Sequence, residues 1–144
     1  MEKTLAIIIG VQGSGKSTFY KTQLEKDYVR INLDTLKTRT KEGKLVEECF
    51  EKGYSLAIDN TNPTRFDRSR YIPKAKENGY KIIGYYMVAN IEECIKRNNR
   101  RKRKVPTKAI WLTSLKLEMP SYDEGFDEIY IVTSSGKGYK IKEV

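Results

Sequence analysis

Histidine is absent from the 144 residues. That excludes histidine triads, His-ligated zinc and an imidazole base. A general base must then be a carboxylate or a shifted lysine or tyrosine. Cysteine occurs twice, at Cys49 and Cys94, in no metal-binding spacing. Two reduced thiols on helices, in a reducing compartment, are expected rather than a disulfide framework. No apolar run reaches transmembrane length, and the first ten residues lack the features of a signal peptide. The expectation is a cytoplasmic protein (host cytoplasm if viral) with no membrane partner. Repeats, linkers and low-complexity tails are also missing, so one domain over 1–144 is expected.

Charge is plentiful but uneven. The net charge is +9, with 28 basic and 19 acidic residues. Residues 96–104 hold seven of the basic residues and no acid, leaving 21 basic against 19 acidic elsewhere. A pI near 9.5 suggests nucleic acid. Its concentration in one segment suggests a cluster that serves nucleotide phosphates instead. Ten tyrosines point to amphipathic packing and stacking surfaces.

The most informative stretch is Gly10-Val11-Gln12-Gly13-Ser14-Gly15-Lys16-Ser17. It follows an apolar run, residues 5–9, and precedes a helix expected over 18–26. This is the G-x-x-x-x-G-K-[ST] pattern in its confirming context. Gly10, Gly13 and Gly15 let backbone N–H groups, with Ser14 and Thr18 alongside, converge on a phosphate at the positive end of the helix. Lys16 is expected to reach the β- and γ-phosphates and Ser17 to ligate Mg²⁺.

Strands are expected over 4–9, 28–32, 54–59, 80–88 and 126–132, with a weak closing strand at 139–142. Between them come helices over 34–52, capped by Asp34 or Thr35 and stopped by Gly53, and over 64–78, disturbed around Pro73 and stopped by Gly79. Two more follow, over 91–98 and 108–119. Alternating strands and helices imply an α/β fold, a central parallel sheet with helices on both faces. The strands' carboxyl ends then share one edge, and their loops line one crevice.

Asp34 could accept a proton from an acceptor hydroxyl, or merely cap a helix. Asp59 ends an apolar strand and could hold Mg²⁺ directly or through water, or form an Asx turn. Arg65 and Arg68 share a helix face at i, i+3 and could contact phosphates, or simply be solvated. Residues 97–106 read as a lid whose arginines close over the phosphates, against a solvated run or a nucleic-acid patch.

Together these stretches resemble the P-loop polynucleotide 5′-hydroxyl kinases, the family of the phage T4 enzyme and of the kinase domain of animal polynucleotide kinase-phosphatase. The resemblance rests on residues 13–19, Asn32-x-Asp34-Thr35-Leu36, the Ala57–Pro63 stretch with residues 68–71, Arg97-Asn98-Asn99-Arg100 before Val105-Pro106, and residues 124–129. It implies transfer of the γ-phosphate of ATP, with Mg²⁺, to the 5′-OH end of DNA or RNA. It implies Asp34 as general base, Arg101 or its neighbours Arg97 and Arg100 as lid arginines, and Asp59 and Thr61 facing the acceptor. It also implies that the 134–137 loop, with Ser135 and Lys137, lies near the adenine. Leu33 stands where the family commonly has arginine. Lys37 stands where the phage-type pattern places an arginine on the acceptor's phosphate, so it offers charge without a bidentate fork. The phosphatase signature Asp-x-Asp-Gly-Thr is absent, so kinase activity alone is expected. Two alternatives stay open: a small-molecule kinase for a sugar, nucleoside or antibiotic, and a non-catalytic NTP-dependent nucleic-acid-binding module.

Overall fold

The apolar run at residues 5–9 becomes the central strand, β1 (Thr4–Ile9), and every residue of it is buried. A strand covered on both faces has no polar side to show, which is why the run is continuous rather than alternating. The computed structural model describes residues 2–101, 104–135 and 138–144. The other strands are β2 (Val29–Ile31), β3 (Leu56–Asp59), β4 (Lys81–Met87), β5 (Glu128–Ser135) and β6 (Gly138–Glu143). They form one sheet in the order β2-β3-β1-β4-β5-β6. The first five are parallel, and β6 returns antiparallel on β5.

The pleat of β1 feeds two layers. Leu5, Ile7 and Ile9 pack with Val46, Phe50, Ile72, Ala75 and Phe126. Ala6 and Ile8 pack on the opposite face with Phe19, Tyr20, Leu24, Met87 and Val132. Each fully buried isoleucine contributes about 1.5–3 kcal/mol by leaving water. A third small cluster, Val11, Cys94 and Ile110, joins α6 (Ile91–Arg100) and α7 (Thr107–Lys116) to the loop after β1.

The helix after that loop starts two residues early, as α1 (Lys16–Phe19), and widens into a π-helical turn over Tyr20–Leu24. The helix expected over 34–52 is two. In α2 (Leu33–Leu36), Asn32 rather than Asp34 or Thr35 is the cap, its side chain accepting from the Thr35 N–H. Lys37 then turns left-handed at φ 77°, and Thr38 caps α3 (Arg39–Lys52), which ends at Gly53 as expected. The helix expected over 64–78 is also two, α4 (Arg65–Arg68) and α5 (Ile72–Glu77). The break falls before Pro73, which sits in the first turn of α5, where its missing N–H leaves no bond unmade. Among the described residues, no helix is long and apolar enough to cross a membrane.

Candidate active site

The carboxyl ends of β1, β2 and β3 open on one crevice of about 500 Å³, closed on a further side by the α6–α7 segment. The β1 loop supplies Gln12, Gly13, Gly15, Lys16, Ser17 and Thr18. From β2 come Asn32, Leu33 and Asp34; from β3, Asp59, Asn60 and Thr61; from α6 and the stretch after it, Arg97, Arg101 and Val105.

Two glycines of the loop have different reasons to be there. Both have positive φ, 78° at Gly13 and 95° at Gly15. A side chain on Gly13 would strike the Cys94 carbonyl oxygen at 2.6 Å, whereas one on Gly15 would meet nothing within 4 Å. Gly13 therefore lets α6 dock on the loop, and Gly15 keeps backbone open toward the crevice. Gly10 lies beneath, its N–H donating to the Thr61 carbonyl at 3.1 Å. The buried Oγ of Ser14 has no hydrogen-bond partner among the described residues. It lies where a side chain on Gly10 would stand and is outside the crevice lining, so the structure does not bring this expected nucleotide contact into the crevice.

Lys16 donates from Nζ to the Val11 carbonyl at 2.9 Å. Burial lowers its pKa to about 8, against the opposing pull of Asp59. An anion placed beside it would raise that pKa and keep the ammonium charged to higher pH.

Ser17 and Asp59 meet at the crevice floor, Ser17 Oγ donating to Asp59 Oδ2 at 3.3 Å. Both are hard oxygen donors. Among the described residues no group of three or more His, Cys, Asp or Glu could hold a metal. The pair thus fits a Mg²⁺ that keeps waters and takes further oxygens from a nucleotide, and fits poorly with an all-protein cage.

Around Asp34 the backbone is fastened by half-buried side-chain amides. Asn32 Nδ2 donates to the Asp59 carbonyl at 2.7 Å, and the Leu33 N–H donates to Asn60 Oδ1 at 2.9 Å. Asn60 Nδ2 donates in turn to Glu42 at 2.9 Å. Glu42, 2% exposed, also accepts from Tyr71 OH at 3.0 Å and from Arg39 at 2.8 Å. Asn62, at φ 46°, donates to the Ile8 carbonyl at 2.8 Å. The 59–63 turn is thereby tied to β1 and to α3.

The segment expected to be a lid is tied down on both sides of residues 102–103, through Asn98 and Val105. Asn98 Nδ2 donates to the Val105 carbonyl at 2.6 Å, and the Val105 N–H returns to Asn98 Oδ1 at 3.0 Å. Arg97 donates to the Gly13 carbonyl at 3.1 Å. Arg97 and Arg101 line the crevice; Arg100 is exposed and does not.

Three residues expected at the acceptor are elsewhere. Arg68 is fully buried, with Nε and NH2 donating to the two Glu124 oxygens at 2.7 and 2.9 Å. Its NH1 donates to the carbonyls of Asn62, Pro63 and Glu118 at 3.1, 3.3 and 3.0 Å. It staples three loops and has no reach to a substrate. Arg65 makes a bidentate pair with Asp123, at 2.9 and 3.0 Å, beside a separate groove with Phe66 and Pro73. Those hydrogen bonds hold the Asp123 carboxyl at about 2. The i, i+3 spacing placed the two arginines on one face, but not on the crevice side. Lys37 is exposed and outside the crevice lining, because the left-handed turn carries it away. Arg39, two residues on, lines the crevice in its place. The Ser135 side chain and Lys137, expected near the adenine, lie outside the described residues, as do Lys102 and Arg103 of the lid.

Sequence reasoning missed Arg30 and Arg39. Arg30 donates from Nε to Asp59 at 2.8 Å and from NH2 to Ser17 Oγ at 2.8 Å. A charged residue inside a strand read as buried was its signal. Arg39 had none, since only the helix break brings it inward.

The chain matches the family model described as an AAA domain over residues 5–116. A protein of Acanthamoeba polyphaga mimivirus, whose name is that of a bifunctional polynucleotide phosphatase/kinase, is 36% identical over 141 residues, 92% of this chain and 34% of its own length. The bifunctional polynucleotide phosphatase/kinase of Schizosaccharomyces pombe is 32% identical over 132 residues, 87% of this chain and 32% of its own length. The chain thus spans about a third of these relatives. A fungal RNA kinase structure superposes with a TM-score of 0.70 over 96% of this chain and 40% of that one, at 16% identity, a likeness of fold.

Proposed function

The chain belongs to the AAA-domain family, and from that premise we propose that it is a polynucleotide 5′-hydroxyl kinase. It moves the γ-phosphate of ATP to the 5′-OH end of DNA or RNA, in the cytoplasm (of the host if viral). The observation that carries the reading is Asp34 in the same crevice as the phosphate loop, in a chain with no imidazole. The two phosphatase/kinase relatives support it.

The Gly13–Thr18 backbone and Lys16 hold the donor's phosphates, with Arg97 and Arg101 above them. Mg²⁺, held by Ser17 and Asp59, supplies charge neutralisation to the phosphates when bound. The acceptor's end enters past Asp34, Thr61 and Arg39. Asp34 accepts the proton of the 5′-hydroxyl as its oxygen bonds to Pγ. The bond from Pγ to the bridging oxygen breaks, and ADP leaves. Proton acceptance by a positioned carboxylate is worth roughly 10²–10⁴-fold, and alignment of donor and acceptor supplies much of the rest.

The test is transfer of label from γ-labelled ATP to 5′-OH and 5′-phosphate oligonucleotides of DNA and RNA. Labelling of 5′-OH ends alone is expected. A protein that binds ATP and labels a sugar or nucleoside, but no oligonucleotide, would contradict the proposal.

A further inference from the structure

Arg30 is a charged side chain outside the crevice lining that reaches two of its residues, Ser17 and Asp59, and that the proposed reaction does not use. It leaves β2 between Val29 and Ile31, and its guanidinium lies 5.8 Å from the centre of the Tyr20 ring. Its NH2 is 2.7 Å from Asp59 Oδ2 and 2.8 Å from Ser17 Oγ. Its Nε reaches the same carboxylate oxygen at 2.8 Å. The fork therefore sits on Ser17 Oγ and on one of the two Asp59 oxygens, the residues assigned to the divalent cation. The Asp59 side chain is 1% exposed and that of Arg30 is 28% exposed. A carboxylate so buried needs a cation beside it, and here the protein supplies one.

We propose that Arg30 is an internal counter-cation that competes with the divalent metal for Ser17 and Asp59. This rests on the reading of that pair as the metal's protein ligands. A divalent cation that takes Ser17 Oγ and the Asp59 carboxylate stands beside the guanidinium already on them, and like charges that close repel, so each disfavours the other. Mg²⁺ gives up water reluctantly. Two protein oxygens already held by a guanidinium are a poor exchange for it. A nucleotide changes the balance by bringing phosphate oxygens as further ligands. Metal loading is thereby linked to nucleotide loading, and Arg30 is a positioning residue that sets the strength of the link.

The experiment is a Mn²⁺ titration of the full chain, read as the free-ion EPR signal, with and without ADP. It compares wild type, Arg30→Met and Arg30→Lys. Methionine keeps much of the stem and removes the charge. Lysine keeps the charge and loses the fork. Arg30→Met is expected to bind Mn²⁺ about tenfold tighter, the equivalent of one pKa unit of charge interaction, with Arg30→Lys between it and wild type. Melting should separate them too. Wild type should melt alike in chelator and in Mg²⁺, whereas Arg30→Met should be weakened in chelator and restored by Mg²⁺.

Mn²⁺ affinity unchanged or weaker in both variants, or a loss of stability that Mg²⁺ does not restore, would make Arg30 a structural partner only and overturn the proposal. Neither readout uses an acceptor. Tighter metal binding without oligonucleotide labelling would leave Arg30's role standing and remove the kinase reading. Labelling with unchanged metal affinity would do the reverse.

Discussion

The two ends of the crevice, donor and acceptor in the proposed reaction, are built in different ways. The donor end is a contiguous stretch, Gly10 to Thr18, lying where a buried strand meets a helix. The acceptor end is assembled from Asn32, Glu42, Asn60, Asn62 and Tyr71, which meet through buried and half-buried hydrogen bonds. The first is a local backbone shape, which a handful of adjacent residues can dictate. The second depends on side chains up to 39 positions apart being brought together by the sheet. A substitution at the donor end should act on nucleotide binding. One at the acceptor end should act on the acceptor and on the fold.

Arg68→Ala should be the most damaging change to the fold. It leaves Glu124, whose side chain is 4% exposed, without its buried partner. The expected loss is about 3–5 kcal/mol in urea unfolding. At temperatures where the variant stays folded, nucleotide affinity should be kept, since Arg68 touches no donor residue. A selective loss of nucleotide binding would erase the division between the two ends.

Glu42→Ala removes the common acceptor for Asn60, Tyr71 and Arg39. We expect about 1–3 kcal/mol lost in the same unfolding measurement, and a higher KM for a 5′-OH oligonucleotide with the KM for ATP little changed. If the KM for ATP rises as much, the two ends are coupled more closely than their contacts imply.

Lys16 carries the donor end's pH dependence. Burial lowers its pKa to about 8, and phosphate favours its charged form. Nucleotide affinity should be full below about pH 8 and fall as pH rises through it, by at most about tenfold per unit. Isothermal titration at pH 7, 8 and 9 measures this, and each binding event should take up protons near pH 8. A flat profile would mean that Lys16 stays charged or does not meet the phosphates.

The smallest effects distinguish neighbouring lid arginines. Arg101→Ala, in the crevice lining, should lower kcat. Arg100→Ala, exposed and outside it, should stay within about 0.5 kcal/mol of wild type in both rate and stability. Steady-state kinetics on both variants checks the contrast.

The same local-versus-distant difference decided what could be read from the sequence. The strands, their parallel order and the crevice along their carboxyl ends follow from apolar runs and alternation. Lys16, Ser17, Asp34 and Asp59 gather in that crevice because each lies at or just past the end of a strand. Arg65 and Arg68 were misplaced because helical spacing tells which residues share a face, not which way the face looks. The helix expected over 34–52 split because Lys37 adopts a positive-φ conformation that no glycine announced, and the one expected over 64–78 broke before Pro73. That turn moves Lys37 out of the crevice and Arg39 into it. Arg30 was passed over within β2, although an arginine there needs a partner, and Asp59 on the neighbouring strand provides it.

The most direct test of the account is Asp34→Asn, measured for ATP affinity and for labelling of a 5′-OH oligonucleotide in the same preparation. The amide keeps the shape and loses the proton acceptor. The account predicts unchanged ATP affinity with labelling reduced by roughly 10²–10⁴-fold. Labelling at the wild-type rate, or a loss of ATP binding that explains the loss of labelling, would contradict it.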